Sequence, residues 1–309
     1  MSASVHLRLG TRASPLARWQ AEWVAARLRE SGVEVELVLI STQGDQNQTA
    51  PVGEIGTFGV FTKEIQRALL DGRIDLAVHS LKDLPTEPVE GLCLAAVPPR
   101  EAAGDALLSR DGRPFEELPP GARIGTGSVR RRAQLWHARP DLEMLDVRGN
   151  VDTRLRKLDE GQFEALVLAE AGLRRLGLAD RITQVLPKSL ILPAVGQGAL
   201  GLETRNDDAA AKSCLAVLDD AATHASVLAE RALLAALRGG CLAPVGAWGR
   251  VSGGRLQLDA VVLSGDGRRR VAAEASGAPE EAESLGRQAA DALLAQGAAE
   301  MIRAQRSST

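Results

Sequence analysis

The stretch Ala122-Arg123-Ile124-Gly125-Thr126-Gly127-Ser128-Val129-Arg130-Arg131-Arg132 carries most of the information about the fold. Ala122 to Ile124 reads as a short strand, Gly125 to Ser128 as a tight turn, and Val129 to Ala138 as a helix stopped by Pro140. A strand, a glycine turn and a helix start leave backbone N–H groups pointing away from the sheet edge, where an anion can be held. Arg130 and Arg131 fall in the first helical turn, where the dipole disfavours cations. Cations in that place suggest an anion that offsets the repulsion, and the arginine fork suits a planar carboxylate. From Arg123 to Lys157 nine Lys/Arg face four Asp/Glu, whereas the chain as a whole is net -3. A local cationic block in a mildly acidic chain points to a specific anion site; the competing reading is an ordinary solvated helix face.

The same strand, turn and helix pattern recurs at the start of the chain. Val5, Leu7 and Leu9 alternate with polar residues, and Gly10-Thr11-Arg12-Ala13-Ser14-Pro15 follows. Ser14 suits an N-cap and Pro15 the first helical position. Whether Ser14 also meets a ligand stays open at this level. Ile74 to Val78 reads as a further strand, with His79-Ser80-Leu81-Lys82-Asp83 at its tip. Ligands of α/β sheets bind at such tips. Asp83 is a candidate acid or base there, or else a cap or salt-bridge partner. His79 reads as a structural histidine. Lys63, near the start of the amphipathic stretch Phe61 to Leu70, is expected to face solvent by residue type.

Strands alternate with helices in two similar units joined by crossovers near Pro98-Pro99 and Leu192 to Leu200. The expected fold class is α/β: two doubly wound domains of parallel strands, followed by a small α+β C-terminal domain. The expected boundaries are 1–97 plus 196–218 for the first domain, 98–195 for the second and 219–309 for the third. In the third, His224 to Leu237 reads as a helix, three glycine-separated segments as strands, and Pro279 to Leu294 as a last helix. Ser41 to Ile55 lacks periodicity and reads as a lid or disordered loop.

Composition narrows the chemistry. Aromatic residues are 3% with no Tyr, so base-stacking platforms are not expected. Three cysteines do not make a disulfide framework. Without a signal-peptide pattern or an apolar run long enough for a bilayer, the expected location is the cytoplasm. No Cys/His spacing suits a metal. Cys93 lies in an apolar run and Cys214 on a helix, whereas Cys241 follows Gly239-Gly240 near Arg238, a setting that favours thiolate or is simply a packed loop.

Taken together in order, Thr11 to Ala17, Ala77 to Asp83, Gly125 to Arg131, Arg148-Gly149-Asn150-Val151 with Thr153-Arg154, Leu192 to Leu200, and Gly239-Gly240-Cys241 with Pro244 resemble the hydroxymethylbilane synthase (porphobilinogen deaminase) family over nearly the whole chain. The resemblance implies two domains shaped like periplasmic binding proteins and a third bearing a cysteine. It implies a dipyrromethane cofactor held by a thioether to Cys241. Four porphobilinogen molecules would be added to it head to tail, each losing ammonia, before hydrolysis releases hydroxymethylbilane. Asp83 would take the catalytic position, assisting departure of the amine and stabilising the cationic azafulvene and pyrrole N–H groups. Arg12, Arg130, Arg131, Arg148, Arg154 and Arg175 would pair substrate and cofactor carboxylates, and Lys82 a cofactor carboxylate. Ser14 and Ser128 would donate hydrogen bonds. Lys63, Thr126, Gly149, Asn150 and Gln197 complete the implied binding set. A monomer that hands its product to uroporphyrinogen-III synthase in haem biosynthesis is also implied, with no nucleic-acid or membrane partner. Two departures bear on binding: Gly56-Thr57-Phe58-Gly59 lacks the lysine of many relatives, and Gly127 stands where many have serine. The rival reading is an anion-binding protein on the same scaffold without catalysis, which would need neither Asp83 nor Cys241.

Overall fold

The structure, a computed structural model, describes residues 5–41, 62–238 and 243–307. The expected loop 41–55 (but for Ser41), the Phe58 departure and Cys241 lie outside these residues. The chain divides into two compact units: residues 1–101 with 199–224, and 102–198 with 225–309.

In the first unit, β1 (His6–Thr11), β2 (Glu34–Leu39), β3 (Leu76–Ser80), β4 (Leu92–Ala96) and β10 (Leu200–Arg205) form one sheet in the order β2-β1-β3-β10-β4. Helix α1 (Pro15–Glu30) starts at Ser14, whose Oγ accepts from the Ala17 amide at 3.4 Å, with Pro15 at the first helical position. Val24, Ala25 and Leu28 of α1 share a buried cluster with Leu7, Leu9, Leu76 and Leu202, joined by Leu215 of α6 (Ala209–Ala216). Helix α2 (Lys63–Leu70) buries Ile65, Ala68 and Leu69 in a separate cluster with Ile74 and Ala77. Alternate strand residues therefore feed different helices, the mark of a sheet covered on both faces.

In the second unit, β5 (Asp105–Ser109), β6 (Arg123–Gly125), β7 (Glu143–Leu145), β8 (Ala165–Ala169) and β9 (Gln184–Leu186) take the order β7-β6-β8-β5-β9. Leu135 of α3 (Val129–Ala138) packs with Ile124, Ala165 and Val167. Leu155 and Leu158 of α4 (Val151–Asp159) and Leu173 of α5 (Glu170–Arg175) pack with Leu166 and Leu168.

The sheets are mixed, not wholly parallel as expected. β10 runs antiparallel to β3 and β4, and β5 antiparallel to β8 and β9. The reason is connectivity. β5 and β10 each follow a passage of the chain from one unit to the other, not a crossover helix within their own sheet. The constraint that makes successive strands parallel is absent there.

The C-terminal region forms the antiparallel sheet β11 (Val245–Ser252), β12 (Arg255–Leu263) and β13 (Arg270–Gly277). Helices α7 (Ala221–Ala236), α8 (Ala282–Ala295) and α9 (Ala298–Ser307) accompany it, the last being one helix more than the sequence reading gave. Leu233, Leu285, Leu293 and Ile302 bury one face of the sheet with Leu256, Leu258 and Ala260. On the other face Val261 and Leu263 pack with Ala133 of α3 and with Leu192. That shared core accompanies the grouping of residues 225–309 with 102–198 in one compact unit.

Candidate active site

In the first unit, the C-terminal ends of β1 and β3 and the start of α2 surround a cleft of about 70 Å³. Arg12, Ser14, Gln20, Thr62, Ser80 and Asp83 contribute polar atoms to its wall. Asp83 closes a single 3-10 turn, Leu81–Asp83, whose Leu81 is buried and anchors it: the Leu81 amide donates to the Ala199 carbonyl at 3.0 Å. The Asp83 carboxylate is half-buried, and no hydrogen bond or ion pair among the described residues holds it. Lys82 shares this turn and is half-buried, whereas Lys63, at the first position of α2, is exposed as its residue type suggested.

The wall of this cleft is fixed by His79 together with Gln20, Gln66 and Glu203, three side chains that the sequence does not single out. Gln20 Nε2 donates to Ser80 Oγ at 2.9 Å. His79 Nε2 lies 3.1 Å from Glu203 Oε2, and Gln66 Nε2 donates to Glu203 Oε1 at 2.9 Å. His79 and Glu203 are both buried, so His79 is the structural histidine that was expected. Thr62 is 1% exposed, and its Oγ1 has no hydrogen-bond partner among the described residues. A buried hydroxyl of that kind costs stability unless something meets it.

In the second unit, the glycine turn is built as anticipated. Ser128 caps α3, its Oγ accepting from the Arg131 amide at 3.4 Å, and buried Thr126 Oγ1 accepts from the Ser128 amide at 3.3 Å. A hydroxyl that accepts in this way keeps its proton to donate. Gly127 has tight surroundings, since a Cβ there would stand 3.0 Å from the Val147 carbonyl oxygen. The departure from serine therefore removes a hydroxyl and also relieves a close approach.

Arg130 and Arg131 are buried, at 4% and 6% exposure, and both meet Asp105. Arg130 Nη1 and Nη2 donate to Asp105 Oδ2 and Oδ1 at 2.7 and 3.0 Å, and Arg131 Nε donates to Oδ1 at 2.7 Å. An anion that offsets these cations at the helix start is thus a side chain of the chain itself, which the sequence reading overlooked. Its only local signal is a lone acid just before the apolar run Ala106 to Leu108. Burial alone would push the Asp105 carboxyl up, but the two guanidiniums outweigh it and hold it well below the usual carboxylate range. Burial pulls the Arg131 pKa down, its neighbour Arg130 adding to the effect and Asp105 opposing it. Arg130 Nε is buried with no partner among the described residues.

Of the other expected residues in this unit, Gln197 joins the cluster, and the remainder are held by contacts of their own. Gln197 Nε2 donates to the Ala103 carbonyl at 2.9 Å, and its Oε1 accepts from Arg131 Nη2 at 3.3 Å. Buried Arg175 Nη2 donates to the Gly198 carbonyl at 2.7 Å. Arg148 pairs with Asp146 at 2.9 Å, both partly exposed. Arg154 Nε donates to the Gly149 carbonyl at 2.8 Å. Gly149 has φ +107°, and a Cβ would lie 2.7 Å from Thr153 Cγ2, so this turn requires glycine. Asn150 stands at the N-cap position of α4, but its side chain makes no capping bond.

Each unit by itself offers polar groups that suit carboxylates and N–H donors. Among the described residues Asp83 offers an acceptor without a partner, Thr62 and Arg130 each hold a buried polar atom without one, and the capping hydroxyls have protons to give. A profile of the porphobilinogen deaminase, dipyromethane cofactor binding domain matches residues 7–213, and one of the porphobilinogen deaminase C-terminal domain matches residues 224–295. Porphobilinogen deaminase of Desulforudis audaxviator (strain MP104C) is 53% identical over 296 residues, covering 95% of this chain and 96% of that protein. Porphobilinogen deaminase of Pelobacter propionicus is 50% identical over 293 residues, covering 94% of each. Among solved structures, the methionine-binding protein MetQ aligns with 69% of this chain and 89% of that one, at a TM-score of 0.45 and 15% identity. With both profiles and near full-length relatives in agreement, the chain belongs to the porphobilinogen deaminase family.

Proposed function

We propose that this chain is a hydroxymethylbilane synthase, which joins four porphobilinogen molecules head to tail with loss of ammonia on a dipyrromethane primer and then releases the linear product by hydrolysis. The observation that carries the reading is Asp83: a half-buried carboxylate with no internal partner among the described residues, in a cleft it shares with Arg12 and Ser14. An anion in that setting is available to the substrate, not committed to the fold.

Cys241 would hold the dipyrromethane through a thioether, and that group would supply the nucleophilic pyrrole carbon. Asp83 accepts pyrrole N–H hydrogen bonds and stabilises the positive charge that develops as ammonia leaves the substrate. In its protonated form it delivers the proton that the departing amine takes up. Each pyrrole unit carries an acetate and a propionate, so elongation accumulates negative charge. Arg12, Arg130, Arg131, Arg148, Arg154 and Arg175 pair those carboxylates, with Lys82 and Lys63 as additional cations. Ser14, Thr126 and Ser128 donate their hydroxyl protons. Gly149 and Asn150 shape the turn that carries Arg148, and Gln197 steadies Arg131. Each charge-assisted bond contributes roughly 1.5–3 kcal/mol, so several together retain a polyanion through repeated cycles. The chain acts as a cytoplasmic monomer and passes its product to a uroporphyrinogen-III synthase, as the family likeness suggests.

The test is the intact mass of the denatured protein after incubation with porphobilinogen. Additions in steps of one pyrrole unit, with matching ammonia release and none in Cys241→Ser, are expected. An unchanged mass with no ammonia released would instead favour an anion-binding protein.

A further inference from the structure

Asp105 opens β5 at 1% exposure, next to the chain passage at residues 101 and 102. Its two oxygens receive four side-chain donors. Oδ2 accepts from Arg130 Nη1 at 2.7 Å, while Oδ1 accepts from Arg130 Nη2 at 3.0 Å, Arg131 Nε at 2.7 Å and Gln197 Nε2 at 3.1 Å. Each guanidinium is also tied to the backbone. Arg130 Nη1 donates to the Leu192 carbonyl at 2.5 Å, and Arg131 Nη1 to the Val167 carbonyl at 3.0 Å. Two long, rotamer-rich side chains are thereby held in one arrangement before any ligand arrives.

The charge count matters as much as the geometry. Two buried guanidiniums meet a single carboxylate, and among the described residues no second acid is hydrogen-bonded to either. A closed ion pair would leave no attraction for a ligand. This cluster keeps one excess positive charge in a poorly solvated place, which favours the entry of one further carboxylate. Asp105 offsets enough repulsion for both arginines to stand side by side, yet not enough to neutralise them.

We propose that Asp105 is a positioning residue for porphobilinogen and primer carboxylates: it orients Arg130 and Arg131 so that their ordering does not oppose each binding event. The role rests on the polymerase activity proposed above. It touches no reacting atom and acts through the two arginines.

The test uses the full chain purified without cofactor, its Asp105→Asn and Asp105→Glu variants, and Gly286→Ala as a control destabilised where α8 meets α7, at a residue that touches neither arginine. Each is incubated with limiting porphobilinogen well below its melting temperature. Intact mass follows the gain of pyrrole units, and steady-state kinetics on the loaded protein separate KM from kcat. Asp105→Asn removes the charge, and Asp105→Glu keeps it but displaces the oxygens by one methylene. Both are expected to gain pyrrole units about 10-fold more slowly than the parent and to raise KM about 10-fold with a smaller change in kcat. Gly286→Ala is expected to melt lower yet load at the parent rate. Loading and KM within twofold of the parent in either folded Asp105 variant would overturn the proposal. So would failure of both variants to fold, which would make Asp105 a purely structural counter-ion. If the parent itself gains no pyrrole units, the polymerase reading fails instead.

Discussion

Glu230 and Gly196 meet across the second unit: Glu230 Oε2 accepts the Gly196 amide at 2.7 Å, while Oε1 accepts the Gly249 amide at the same distance. Glu230 is fully buried on α7, so one carboxylate joins the segment before Gln197 to strand β11. Glu230→Ala would leave two buried amides without these acceptors, each costing about 1–3 kcal/mol. A loss of about 2–5 kcal/mol in urea unfolding is expected. A loss under 1 kcal/mol would show that the carboxylate is dispensable.

Asp83→Ala should separate stability from catalysis. With no internal bond to lose among the described residues, the variant is expected to unfold within about 0.5 kcal/mol of the parent. Turnover, followed by ammonia release, should fall by at least 100-fold. Near-normal turnover would remove Asp83 from the chemistry.

Thr62→Val tests the buried hydroxyl in the same cleft. The swap keeps the shape of the side chain and deletes an oxygen that has no partner among the described residues, so the cofactor-free protein should gain up to about 1 kcal/mol of stability. Loading with porphobilinogen should slow at the same time if the hydroxyl meets the ligand. Unchanged loading alongside higher stability would confine Thr62 to the fold.

Asp75 sets an acid limit. Burial pushes its carboxyl up, but hydrogen bonds from Arg8 and Arg205 outweigh burial and bring it to about 2, below its ordinary 3.8. A group whose folded pKa is depressed stabilises the native state above its unfolded pKa and loses that contribution as pH falls through the folded value. Asp75→Asn should therefore cost about 2 kcal/mol at pH 7, with the gap to the parent closing between pH 4 and pH 2. A gap independent of pH would assign the effect to packing.

Gly286→Leu probes helix packing in the C-terminal region. A Cβ at 286 would fall against the Ala229 carbonyl oxygen and 2.7 Å from the Ala232 Cβ, so α8 and α7 approach too closely for any side chain there. A loss of about 1–3 kcal/mol or more is expected, read from the shift in melting temperature. Unaltered melting would mean that the two helices can separate freely at this point.

Features encoded by neighbouring residues were legible in the sequence. Ser14-Pro15 and Gly125 to Ser128 announced two helix starts because caps and turns depend on residues three or four apart. The alternation in β1 and the spacing in α1 announced an α/β chain for the same reason, and the tip of β3 placed Asp83 in a cleft. Asn150 occupies an N-cap position without capping, because position in the chain does not decide where an amide side chain points.

By itself, the sequence determined the local elements, the positions of the candidate acid and hydroxyls at their ends, and a motif order specific enough to place the family. Tertiary structure alone decided that Arg130 and Arg131 share Asp105, that His79 is held by Glu203 across 124 residues of chain, and that β5 and β10 run against their neighbours. The physical reason is range. Caps, turns and periodicity are set by a few bonds of backbone, whereas the partner of a buried charge is whichever opposite group folding brings within about 3 Å, and local sequence carries no record of that distance.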